Sequence, residues 1–414
     1  MTSTLSSLLP KLASRRVESP SAALPFSARG VLKLLAHLRH GTLHLELPDG
    51  QVQHLGRGDG PEASLRIHDS AMLARVLRSG DIGLAESYLD GQWSTPDLPG
   101  LLLLLALNRD TLEQLVYGRW WGQLAYRAQH WLNRNTRANS RKNIHAHYDL
   151  GNAFYALWLD PSMNYSSAWF DGDFHRDLTG AQNAKMWRAL DACAVRHGDR
   201  VLEIGCGWGA VAETATRDWG ANCVGVTLSP AQLEWAQRRL AQAGLAKRAD
   251  LRLQDYRDLN DEPYDAIISI EMFEAVGREW WPSYFQTLHR QLKPGGRACV
   301  QSITIRDDLF ERYSHSTDFI QQYIFPGGML PSPSEFVAHA QQAGLRVVEQ
   351  HAFGLDYAET LRRWRAAFVA QETQVRAQGF DQRFVRLWTF YLAYCEAAFD
   401  SGCTDVIQFT LVRD

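Results

Sequence analysis

The sequence predicts an α/β protein in which a doubly wound parallel sheet occupies residues 143–414 and a smaller α/β accessory domain precedes it. Two patterns and a length lead to that class. From Ala181 onward, apolar strands alternate with helices at the spacing of βα units, which builds a parallel sheet with helices on both faces. Arg200–Ile204 runs into Gly205-Cys206-Gly207-Trp208-Gly209 and then into a helix, the glycine turn of a Rossmann-like sheet. At 414 residues the chain exceeds one ordinary core.

Residues 1–30, rich in Ser, Ala, Pro and Arg, read as a mobile tail without the apolar centre of a signal peptide. The accessory domain is expected over 31–126. In it Leu43-His44-Leu45-Glu46-Leu47 alternates as a half-buried strand does, and Pro48-Asp49-Gly50 turns the chain. Ser70–Tyr88 reads as one helix with Leu73, Val76 and Leu77 on one face. Leu98–Trp121 reads as an apolar helix, buried rather than contacting a membrane or partner through Leu101–Leu107. Residues 127–142 form an Asn-rich linker carrying Arg127, Arg134, Arg137, Arg141 and Lys142, a solvated face that could also meet lipid phosphates.

In the sheet domain the expected order is helix Ala181–Val195, strand Arg200–Ile204, helix Ala210–Trp219, strand Cys223–Thr227 and helix Pro230–Ala243. Strands Ala249–Gln254 and Tyr264–Ile270, helix Trp281–Leu292 and strand Arg297–Thr304 follow. An aromatic-rich helical insertion, Trp364–Phe399, precedes Val406–Val412, which reads as a closing edge strand.

Composition narrows the function classes. Charged residues are 21% and hydrophobic ones 45%, as in a soluble globular protein. A net charge of -3 provides no global field for nucleic acid or a membrane surface. The longest apolar run, Leu101–Leu107, is far short of the ~20 residues of a bilayer span. Cys193, Cys206, Cys223, Cys299, Cys395 and Cys403 are scattered, which fits reduced thiols in the cytoplasm.

Three features turn the glycine loop from NAD toward S-adenosylmethionine. Glu203 lies in the strand just before Gly205, Gly207 and Gly209, placed to orient the loop and a methionine amino group. The next strand ends in Thr227-Leu228-Ser229, without the acid that grips an NAD ribose. Asp255 and Tyr256 follow the third strand, where an acid can accept from an adenine amino group and an aromatic can stack; a plain helix cap is the blander role for Asp255. Tyr165, Ser166, Gln232 and Ile270 complete the expected cofactor set.

The flanking segments are more specific. His147-Tyr148-Asp149-Leu150-Gly151-Asn152, Leu159-Asp160-Pro161-Ser162-Met163-Asn164-Tyr165-Ser166, Met272-Phe273-Glu274 and Tyr323-Ile324-Phe325-Pro326-Gly327-Gly328 resemble the cyclopropane-fatty-acyl-phospholipid synthase family, in family order. Gly80-Asp81-Ile82-Gly83-Leu84-Ala85-Glu86-Ser87-Tyr88 resembles the accessory domain of its longer, phospholipid-acting members. The resemblance implies methyl transfer to a carbon–carbon double bond of an unsaturated phospholipid acyl chain. It also implies an aromatic-lined pocket for the resulting cation, with Tyr165, Trp169, Phe170, Phe273, Tyr357 and Trp364 as candidates. In the family, bicarbonate then takes a proton from the new methyl and a cyclopropane ring closes. Its cradle maps onto Glu274, the main chain of Ile303 and Tyr357.

Two cradle positions depart: Ser167 stands where the family has Cys, and Gln301 where it has His. Both can still donate hydrogen bonds, but an anion held by neutral donors beside Glu274 is held less well. Two outcomes stay open: ring closure, or a methylated or methyl-branched chain. A non-catalytic lipid-binding homologue and methylation of a small N or O nucleophile are the competing classes. The resemblance admits a homodimer and peripheral contact with the inner face of the membrane from a cytoplasmic protein. No metal and no nucleic acid are expected; His145 and His147 read as structural, and Cys395 as a packed thiol.

Overall fold

The computed structural model describes residues 26–112 and 150–414. The basic linker 127–142, His145, His147 and the end of the expected Leu98–Trp121 helix lie outside the described residues. The first element of the described residues is helix Phe26–Leu35, which spans the expected boundary at Val31. Strands β1 (Thr42–Glu46), β2 (Val52–Gly56), β3 (Glu62–Ile67) and β4 (Trp93–Ser94) form a sheet in the order β2-β1-β3-β4. In β1, Leu43 and Leu45 are buried while their neighbours are only half-buried, as the alternation predicts.

The single helix expected over Ser70–Tyr88 is two, Ala71–Ser79 and Asp81–Leu89. Gly80 separates them at φ 64°, a left-handed conformation that glycine takes without steric cost. Helix Leu98–Leu107 starts where Asp97 accepts from the Gly100 N–H at 3.2 Å. Its Leu101, Leu102 and Leu104 are buried, so the apolar run is core, as the buried-helix reading expects.

Strands β5 (Arg200–Ile204), β6 (Asn222–Thr227), β7 (Ala249–Leu253), β8 (Tyr264–Ile270), β9 (Leu292–Ile305), β10 (Leu345–Ala352) and β11 (Thr404–Arg413) make the large sheet. Their order is β10-β11-β9-β8-β5-β6-β7, with β11 antiparallel to both neighbours and the pairs from β9 through β7 all parallel. The edge assignment of Val406–Val412 is therefore corrected: β11 is interior, and the edge is β10. Val406–Leu411 is a continuous buried run, as a strand covered on both faces requires, whereas β10 is largely open to solvent. Among the described residues no helix is long and apolar enough to cross a membrane.

The helical insertion comprises Gly354–Ala370, Glu372–Ala377 and Gln382–Asp400, starting earlier than the expected Trp364. It joins the two sheets. Leu101 and Leu104 of the small domain share one core with Phe154, Trp158, Trp388 and Phe390. Polar contacts fix the seam: Tyr394 Oη donates to Asp81 at 2.8 Å, Tyr323 Oη to Glu86 at 2.6 Å, and Arg386 Nε to the Tyr88 carbonyl at 2.7 Å. Phe390 is fully buried, its ring 4.9 Å from that of Phe319 and 5.6 Å from that of Tyr88. Phe390→Ala is expected to cost about 3–5 kcal/mol, seen as a lower urea midpoint in equilibrium unfolding. A midpoint within experimental scatter of the parent would show that the seam is not built on this ring.

Candidate active site

β5 delivers the chain into the glycine turn. A Cβ on Gly205 (φ 87°) would come within 2.9 Å of the Met272 side chain, and one on Gly209 (φ 84°) within 2.8 Å of Ala236. Glycine is thus required both for backbone conformation and for close packing. The turn opens onto a cavity of about 310 Å³. Of the expected cofactor residues, Tyr165, Ser166, Glu203, Gly205, Gly207, Thr227, Leu228, Gln232 and Ile270 line it. Thr227 Oγ1 donates to Gln232 Oε1 at 3.0 Å and fixes that amide at the wall.

Asp255 and Tyr256 are not among the residues lining this cavity. Asp255 accepts from the Arg257 N–H at 3.0 Å and pairs with its guanidinium at 2.6 Å, so it caps its own short helix. Tyr256 packs edge-on against Tyr284 at 5.6 Å. Gly209 acts through helix packing and does not line the cavity.

Glu203 is only 3% exposed. Burial pushes its carboxyl up to about 8, against a hydrogen bond with the Ala212 backbone and the charges of Arg239 and Lys185. Its Oε2 has no hydrogen-bond partner among the described residues. A buried acceptor left open beside a glycine turn fits a methionine ammonium, so these residues suit S-adenosylmethionine.

Across the cavity stand two carboxylates. Glu274 accepts the Ile303 N–H through Oε1, while its Oε2 has no hydrogen-bond partner among the described residues. Burial, and then the charge of Glu271, pushes it up to about 8. Glu271 was not anticipated. It accepts from Ser167 N–H at 2.8 Å, Gln301 Nε2 at 2.7 Å and Tyr357 Oη at 2.7 Å. Of its donors only Tyr357 lines the cavity; Ser167 and Gln301 are fully buried behind Glu271. The sequence signal was there: an acid immediately after an apolar strand, at the carboxyl end where such sheets bind ligands.

Lys185, also unanticipated, is fully buried and donates to Ser166 Oγ at 2.7 Å. Burial pulls its ammonium down to about 8, opposed by the charges of Glu271, Asp160 and Glu203. Among the aromatic candidates, Tyr165 and Tyr357 line the cavity; Trp169, Phe170, Phe273 and Trp364 do not. Tyr391 and Phe399 line it instead, with Tyr165 Oη 2.7 Å from Tyr391 Oη and the Tyr357 and Phe399 rings 4.5 Å apart. Cys395 also lines the cavity, and burial pushes its thiol well up, which keeps it un-ionised.

Because Glu203 must lose its proton to hold an ammonium, binding of S-adenosylmethionine releases a proton below about pH 8. Its affinity is expected to rise with pH between 6 and 7.5, by up to about tenfold per pH unit. Isothermal titration across that range tests this. Glu203→Gln should bind at least about tenfold more weakly and with a flat profile; an unchanged slope in that variant would assign the proton elsewhere.

The family described as mycolic acid cyclopropane synthetase matches residues 135–409. The chain is 39% identical over 394 residues to tuberculostearic acid methyltransferase UfaA1 of Mycobacterium tuberculosis, covering 91% of this chain and 88% of that one. It is 35% identical over 358 residues to the cyclopropane-fatty-acyl-phospholipid synthase of Escherichia coli, covering 86% and 89%. The crystal structure of mycolic acid cyclopropane synthase CmaA1 complexed with SAH and CTAB superposes with a TM-score of 0.62 at 34% identity, over 66% of this chain and 97% of that one. Agreement in sequence along both domains and in fold along the large sheet leads to one assignment: the chain belongs to the mycolic acid cyclopropane synthetase family of S-adenosylmethionine-dependent methyltransferases.

Proposed function

We propose that this enzyme methylates a double bond in an unsaturated fatty acyl chain of a phospholipid and closes a cyclopropane ring. One observation carries the reading: the cavity that begins at the glycine turn continues without a break to the aromatic wall and the two carboxylates. When bound, S-adenosylmethionine supplies an electrophilic methyl group. Glu203 and the Gly205–Gly207 backbone would hold it, and they share the cavity wall with Thr227 and Gln232. An alkene has no lone pair, so its π electrons must attack and leave positive charge on a chain carbon. The faces of Tyr165, Tyr357, Tyr391 and Phe399 suit that charge without trapping it, because none of them is a strong nucleophile at neutral pH. Burial raises Tyr357 and Tyr391 further, so both stay neutral.

The acyl substrate resides in a bilayer, so the proposal includes peripheral contact with the inner face of the membrane by a cytoplasmic enzyme. The accessory domain is the proposed route, since its Asp81 and Arg109 line the same cavity. A second product has a specific observation behind it: the relative at 39% identity is named a tuberculostearic acid methyltransferase, not a cyclopropane synthase. Loss of a chain proton in place of a methyl proton gives a methylated alkene, which only a separate reduction by another enzyme would convert to a methyl-branched chain.

Turnover with vesicles separates these readings. S-adenosylhomocysteine is expected with oleoyl phospholipid and not with a fully saturated one. Proton NMR of the product lipid is expected to show high-field cyclopropyl signals; a vinylic methyl or methylene signal establishes the second product. Cofactor binding with no S-adenosylhomocysteine from any lipid would sink the enzyme reading, and equal activity without lipid would sink the substrate.

A further inference from the structure

The resemblance assigns Ser167, Gln301, Tyr357, Glu274 and the Ile303 main chain to a cradle for bicarbonate. In this chain the donors of that cradle are engaged. Ser167 N–H, Gln301 Nε2 and Tyr357 Oη converge on Glu271, at 2.8, 2.7 and 2.7 Å. The Gln301 amide cannot turn to serve another acceptor, because Gln408 Nε2 donates to its Oε1 at 3.0 Å. The Ile303 N–H is taken by Glu274. Bicarbonate therefore does not fit: the place that would receive a carboxylate-shaped anion already holds one, and it is covalently part of the chain.

The backbone agrees. Glu271 has φ 48°, the left-handed region that side-chain-bearing residues seldom enter. Its N–H donates to the Gln301 carbonyl at 2.8 Å, which fixes the turn and aims the side chain at those donors. Strain of this kind persists where surrounding contacts over-determine it, commonly at functional positions.

We propose that Glu271 is the catalytic base and takes the place of bicarbonate. This rests on the methyl transfer proposed above. With the cation formed on the acyl chain, a Glu271 oxygen takes a proton from the new methyl group. An O–H bond forms, the C–H bond breaks, and its electron pair makes the carbon–carbon bond that closes the ring and quenches the cation. The proton passes from Glu271 to water when the product leaves, so no co-reactant is consumed. The two acids are suited to different protonation states. Glu274, desolvated and next to Glu271, is pushed up to about 8 and is the member that carries a proton at neutral pH. Burial raises Glu271 too, and Tyr357, Lys185, Ser167 and Gln301 all oppose that rise.

Two measurements test the proposal. The native rate on oleoyl phospholipid vesicles is expected to be the same within twofold in CO2-depleted buffer and with added bicarbonate. Glu271→Gln, which keeps shape but not basicity, should lose about 10²–10⁴-fold in kcat. Glu271→Gly relieves the backbone and empties the cradle, so its residual rate should rise with bicarbonate. Independently of turnover, 13C-bicarbonate should show no saturable line broadening with native protein and should show it with Glu271→Gly. A native rate that falls tenfold on CO2 depletion, or saturable bicarbonate binding by the native protein, would overturn the proposal. If no lipid is turned over, the proposed function fails, and the 13C titration still decides the occupancy of the cradle.

Discussion

Water must be kept from a carbocation, yet the residues proposed to hold the cofactor and take the proton are acids, and acids removed from water are costly to ionise. The rest of the site is arranged around that conflict. Glu203, Glu271 and Glu274 face one cavity, and a buried ammonium, that of Lys185, sits close enough to lower both Glu203 and Glu271. Lys185 is held in turn by Ser166 and faces Asp160. It lies behind the wall and not in the cavity, so it lends charge to both ends of the site without offering a nucleophile to the cation. At Glu274, burial and the charge of Glu271 both push the carboxyl up.

Legibility in the sequence followed burial. Strands β5 and β8 lie where their apolar runs place them, because a strand covered on both faces has few residues that break its signal. The small sheet was read only at β1: β2 and β3 are short and half-exposed, and β4 has two residues. β10 failed for the same reason. Gly80 was hidden because apolar periodicity continues through it, and only its φ reveals the break. At the site, motif spacing pointed to Glu203 and Glu274, and both line the cavity. It passed over Glu271 and Lys185, whose partners lie far away in sequence, and it gave no sign that Asp255 pairs with its neighbour Arg257.

The small domain is more than an appendage. Its helices share a core with the insertion, and its Asp81 accepts from Tyr394 and from the Phe319 N–H at 3.1 Å. Asp81 and Asp318, both desolvated at this seam, are raised together, and Asp318 reaches about 7. The far wall of the cavity thus carries its own charge conflict, and the accessory domain is a structural part of the catalytic chamber.

The order of strands has a consequence for how the site comes into being. β9 and β10 do not touch until β11 slides between them, and β11 follows both in the chain. Until that strand has been synthesised, each has an open edge, a state prone to mispairing. Gln408 on β11 is also what holds Gln301, and Gln301 holds Glu271. The base is therefore locked in position by a late-synthesised strand of the domain, which links chemical competence to completion of the sheet and leaves earlier folding intermediates catalytically silent.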